Sequence, residues 1–251
     1  MTSSTYDLTT RMAEQIARWE HAGDRRAIFL ACYRLMTANM LRGVAQGRFR
    51  DNRWVGALIE NFAEYYFVAL DAYEGGSGLL PAVWRRAHDL AQLPTTTVIQ
   101  SLLMGVNAHI NCDLVLVLDD MLTPEWAGLA PAVRAERYHD YCMVNAVIAE
   151  TIDVVQDQVV EPYARAMDLV DRLCGPLDEW CTARLIRNWR ADVWRRALAI
   201  IEADSPAIRQ ALRAQGDAVA LRRIELLEWG GELGARVFGY PLRYLSRLRL
   251  I

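Results

Sequence analysis

The sequence predicts an all-α protein, a single-domain helical bundle of about seven to nine helices. Three observations carry this expectation. Apolar residues recur at helical spacing from position 9 to about 230, alternating strand patterns are absent, and capping residues stand at nearly every proposed boundary.

In chain order, helices are predicted over residues 9–21, 24–46, 51–74, 80–92, 95–120, 131–173, 176–203 and 205–229. Gly23 can close the first helix as a left-handed cap, and Asp24 can open the second. Gly75-Gly76-Ser77-Gly78 separates the third from the fourth, and Thr95 after Pro94 offers an N-cap for the fifth. Pro162 predicts a kink or a division in the long sixth helix, and Cys174-Gly175-Pro176 ends it and opens the seventh. No repeat or long linker appears, so residues 1–251 read as one domain with a core bundle over 9–229. The tail 230–251 is interrupted by Gly230, Gly231, Gly234, Gly239 and Pro241. Its Leu242, Leu245 and Leu248 share a helical face, so the tail is expected to dock on the bundle or on a second subunit, giving a homodimer.

Composition narrows the function. The 251 residues are 53% hydrophobic and 24% charged, with a formal charge of −3 and dispersed arginines, which argues against nucleic acid and for a small molecule or protein partner. All 28 basic residues are arginine, so Schiff-base chemistry and phosphate binding through a P-loop lysine are excluded. The five cysteines are scattered and the first seven residues are polar, so the expectation is a cytoplasmic protein with reduced, unreactive thiols. The nearly uncharged stretch 90–112 is broken by Pro94 and a threonine run, so no membrane span is expected there.

Two helices carry polar residues where an apolar stripe should continue. In Asn107-Ala108-His109-Ile110-Asn111-Cys112-Asp113, helical geometry sets His109 and Asp113 one turn apart, on a face shared with Leu102, Gly105, Val106, Leu116 and Asp120. Asn107 and Asn111 form a second pair at the same spacing. On the helix 131–173, His139, Glu150, Asp153 and Asp157 fall near one line beside apolar neighbours, without a local arginine. Unpaired carboxylates in apolar surroundings need a metal, distant arginines or a proton. The expectation is therefore that Glu150, Asp153 and Asp157 face His109 and Asp113 across a pocket, or else form a solvated edge. Tyr65 and Tyr66, beside Glu60, Glu64 and Asp71, are candidate substrate contacts, as is Asn145.

The segment 107–114, with Val144-Asn145, Ile152-Asp153-Val154-Val155-Gln156 and the pattern of 62–73, resembles an uncharacterised actinobacterial helical family with an N-A-H-I-N-x-D-L signature. The resemblance covers about residues 10–200 and implies no activity. Asp119-Asp120-Met121-Leu122-Thr123-Pro124-Glu125 resembles the aspartate-rich motif of terpene cyclases, and Asn145, Ala149 and Asp153 echo their second metal motif, with alanine where serine belongs. The Glu-x-x-His pairs of di-iron bundles are missing. His88-Asp89 is similar to the paired step of histidine hydrolases, but its arginine-rich amphipathic helix places His88 at the surface.

These residues together predict a small-molecule enzyme of the lyase, isomerase, cyclase or hydrolase type, acting on a hydrophobic specialised metabolite inside the bundle. His109 would be its acid/base, oriented by Asp113, with Asn107, Asn111 and Asp153 assisting. Alternatively a divalent metal would be held by His109, Asp113, Glu150, Asp153 and Asp157, the one cofactor the pattern admits. The competing expectations are a non-catalytic helical binding or scaffold protein and a metal-dependent isoprenoid-diphosphate cyclase.

Overall fold

Local signals set the helix ends. Gly23, at φ 68°, turns the chain out of α1 (Ser3–Ala22), and the Asp24 N–H bonds back to the Trp19 carbonyl at 2.8 Å. Next comes α2 (Ala27–Ala45), and the Asp51 side chain then caps α3 (Asn52–Tyr73) by accepting from the Trp54 N–H at 2.9 Å. After α4 (Ala82–Ala91), α5 (Val98–Ala108) opens on a capping box formed by Thr97 and Gln100. The cap is thus two residues beyond the expected Thr95, because only Thr97 has a Gln three residues on.

The structure, a computed structural model, describes the backbone of residues 3–166 and 179–247 and the side chains of 8–163 and 183–228. Its remaining helices are α6 (Leu114–Trp126), α7 (Pro131–Val155), α8 (Glu161–Ala166), α9 (Glu179–Ile201) and α10 (Pro206–Arg247). A π-turn at His109–Asp113 joins α5 to α6, and another at Gln156–Val160 joins α7 to α8. The described residues therefore form eight continuous rods and no strand, an all-α bundle within the expected number.

Each π-turn has a consequence. The second lies just before Pro162, whose ring would clash with an ordinary helical turn, so the wider turn accommodates the proline without breaking the rod. The first adds one residue to the central rod and rotates everything after it by about 100°. Asp120, expected on the His109 face, is swung away to an exposed position. The expected break near residue 229 is also absent, since α10 runs through Gly230, Gly231, Gly234 and Gly239. Glycine weakens a helix but does not forbid it. The docking of Leu242, Leu245 and Leu248 lies outside the described side chains.

The rod Val98–Trp126 is the axis of the fold, with α2, α3, α4, α9 and α10 packed around it. Its 29 residues are long and apolar enough to cross a membrane, but 83% of its most apolar window is buried inside the bundle. Enclosure on all sides accounts for that composition. By contrast, α7 packs on α2 and α9. A gap remains between α7 and the axis.

Candidate functional site

That gap is a cavity of about 140 Å³ bounded by α2, α3, the central rod, α7 and α9. Its walls are nearly all apolar, including Met40, Leu58, Leu102, Ile110, Leu114 and Ile152. The polar side chains on the wall are few: Cys32, Tyr33, Thr37, His109 and Arg190. The volume suits a ligand far better than a single water, which needs only about 10–15 Å³.

His109 reaches this wall from the π-turn. Its Nδ1 is 2.9 Å from Asp113 Oδ2, and the Trp84 indole N–H donates to both oxygens of Asp113 at 3.0 Å. Phe62 stacks on the imidazole with 3.5 Å between centroids and 7° between planes, while Tyr33 meets it edge-on at 4.3 Å. Phe29 closes the aromatic shell from a fixed position, because it lies directly on Gly105, where a Cβ would fall 2.4 Å from Phe29 Cγ.

Burial disfavours charge on both members of the pair. It lowers the His109 pKa against the pull of Asp113, and it raises that of Asp113 against the bonds from His109 and Trp84. The imidazole is therefore neutral. With Nδ1–H assigned as the donor to Asp113, the lone pair is on Nε2. That Nε2 is buried and has no hydrogen-bond partner, and the Tyr33 and Thr37 hydroxyls on the same wall have none but one another. These polar atoms around one apolar cavity form a set of contacts a ligand would complete.

The other predicted residues are placed differently. Asn107 and Asn111 are buried, but their amides bond away from the cavity: Asn107 donates to the Ala220 carbonyl at 2.8 Å, Asn111 donates to Asn107 at 2.9 Å, and Arg223 donates to Asn111. They fasten α10 to the axis. Glu150, Asp153 and Asp157 are exposed, and Glu150 forms a bidentate pair with Arg48 at 2.7 Å. The structure does not bring these acids to His109, so the solvated-edge alternative describes them. Tyr65 donates to Asp120 outside the cavity, and Tyr66 packs behind His109 at 6.1 Å between rings. Asn145 accepts from Arg190 Nε at 2.9 Å.

Among the described residues, no three His, Cys, Asp or Glu side chains converge at metal-binding spacing. The terpene-cyclase-like acids are held by cations instead. Asp119 is fully buried between Arg209 and Arg213, and Asp120 is paired with Arg213. His88 is buried, contrary to its expected surface position: it stacks on Trp84 and meets Tyr73, because the aromatic side of α4 faces inward.

Tyr33, Thr37, Trp84 and Arg190 were not legible as site residues from the motif around His109. A signal existed for three of them. Ile186, Arg190, Val193 and Ala197 form one apolar stripe on α9, with an arginine where leucine would fit. Phe29, Tyr33, Thr37 and Met40 do the same on α2.

Fold and site thus define a helical bundle enclosing an apolar cavity with a histidine–aspartate pair on its wall. The chain belongs to a family of unknown function (DUF5995), whose model matches residues 6–228. No curated protein and no solved structure matches it.

Proposed function

We propose that the protein is an enzyme that binds an apolar small molecule in the bundle cavity and transfers a proton through His109 Nε2. One observation carries this reading: Nε2 is buried and unpartnered on the wall of an apolar cavity, while Nδ1 is fixed by an Asp113 that Trp84 itself orients. An imidazole held at one nitrogen and open at the other has the arrangement of a general acid/base. The chemistry this suits is lyase, isomerase, cyclase or hydrolase chemistry on a hydrophobic specialised metabolite. The setting we propose is a cytoplasm that keeps Cys32 and Cys112, both buried and unbridged, as inert thiols. We place the N-A-H-I-N-x-D-L segment at the centre of the family's shared chemistry, and an actinobacterial origin is part of the same reading. A divalent-metal version would need ligands beyond His109 and Asp113, and Glu150, Asp153 and Asp157 lie on the exposed side of their rod.

A non-catalytic binding protein is the second reading. It is favoured by the wall itself, where the other polar side chains are Cys32, Tyr33, Thr37 and Arg190, with no second imidazole or carboxylate among them. Incubating the wild type and His109→Gln with a metabolite extract, followed by mass spectrometry, separates the two. The enzyme reading expects one apolar metabolite consumed by the wild type, with loss of turnover by roughly 10²–10⁴ in a folded variant. Retention of a metabolite by both proteins without conversion would establish the binding reading instead. Equal conversion by both would remove His109 from the chemistry.

A further inference from the structure

Among the described residues, Arg190 is a buried cation without an anion. It is 4% exposed, yet its hydrogen bonds go to neutral groups: Nε donates to Asn145 Oδ1 at 2.9 Å and Nη2 to the Tyr141 carbonyl at 2.8 Å. The guanidinium also lies over the Tyr141 ring, 4.2 Å from its centroid. Among the described residues no carboxylate pairs with it, whereas Arg26, Arg137, Arg209 and Arg213 each have at least one. Burial accordingly lowers its pKa, opposed by Tyr141 and Cys142 but by no carboxylate. A guanidinium offers five N–H donors in a planar fork, and two bonds leave donors over.

This unpaired charge stands on the wall of the same apolar cavity as His109. A fully apolar ligand would leave it without a counter-charge, and a fold that needed packing alone would have placed leucine in the stripe between Ile186 and Val193. From this geometry we infer that the ligand is an apolar molecule bearing one carboxylate, and that Arg190 receives that carboxylate. The inference rests on the cavity being a ligand site, as proposed above, and adds the charge of the ligand.

Calorimetric titration of the full chain with octanoate and with 1-octanol tests it. The two probes share an apolar body and differ in the head group. The expected result is octanoate binding at least about tenfold more tightly than octanol, as a charge-assisted bond to a guanidinium provides. Arg190→Met should abolish the preference while leaving octanol affinity in place, and Arg190→Lys should restore part of it. Since Arg190 also braces α7 against α9, the wild-type preference is a test that needs no variant. Equal affinity for the two probes in the wild type would overturn the carboxylate and leave the cavity reading standing. Binding of neither would overturn both.

Discussion

The two sides of the central rod treat polar residues in opposite ways. On the side facing α10, most bonds close: Asn107 holds the Ala220 carbonyl, Asn111 links Asn107 to Arg223, the Asn111 carbonyl accepts from Arg196 at 2.6 Å, and Asp119 lies between two arginines, while Nη1 of Arg196 stays without a partner. On the cavity side, the Nε2 of His109 has no partner, and the hydroxyls of Tyr33 and Thr37 have none but one another. A buried polar group that is fully bonded fixes register, and one left open carries a cost that folding alone does not explain.

The largest effect expected from breaking this contrast is on the closed side. Asn111→Leu removes the acceptor of Arg223 and the donor to Asn107, leaving the buried Asn107 Oδ1 without a donor and the half-buried Arg223 with Asp192 as its remaining acceptor where α10 meets the axis. The expected loss is about 3 kcal/mol, read from the denaturation midpoint. A change below about 1 kcal/mol would mean that the asparagines do not hold α10, and the contrast between the sides would fail.

A smaller effect sharpens the electrostatic half of the comparison. Burial depresses His88 from 6.5 to about 3. The folded state therefore binds fewer protons than the unfolded chain below pH 6.5, so stability falls as pH falls from there towards 3. Between pH 6.5 and pH 5 this amounts to about 2 kcal/mol. His109 is shifted in the same direction and Asp113 in the opposite one, so the share of His88 is isolated by substituting it alone. His88→Phe, which keeps a ring between Trp84 and Tyr73, should flatten the pH dependence of the melting temperature over that window. An unchanged slope would mean that the histidine is not held neutral.

How much of this was legible follows from the range of each signal. Helix class and number are written in local periodicity and caps, and both were readable. The His109–Asp113 bond was readable as well, because it joins residues four apart in one rod. The π-turn was not, since no residue type encodes an inserted turn, and it carried Asp120 off the expected face. The acids of α7 were misplaced for a different reason. Apolar neighbours such as Val144 and Val147 face the core, and Glu150, Asp153 and Asp157 follow the opposite side of the same rod, where Arg48 arrives from a distant segment. Asn107 and Asn111 looked like site residues because burial was legible, but the partners that occupy them come from α10, over a hundred residues further on.

The smallest predicted effect tests the contrast with one substitution made twice. Thr37 and Thr151 are both buried, on α2 and α7. The Thr151 hydroxyl donates to the Val147 carbonyl at 2.6 Å and accepts from Asn39 at 3.0 Å, so it ties the two helices together. The Thr37 hydroxyl, on the cavity wall, has no partner but the Tyr33 hydroxyl. Valine has the same shape as threonine without the polar atom, so packing is held constant and the hydroxyl alone is tested. Thr151→Val should cost about 1 kcal/mol, because it removes two bonds and leaves Asn39 open. Thr37→Val should instead leave stability unchanged or raise it by up to about 1 kcal/mol, a rise of roughly 2–4 °C in Tm for a domain of this size. Opposite signs would show that the cavity wall keeps a polar atom the fold does not need. Equal losses at the two positions would mean that the Thr37 hydroxyl is bonded within the protein, and that the cavity side is as closed as the side facing α10.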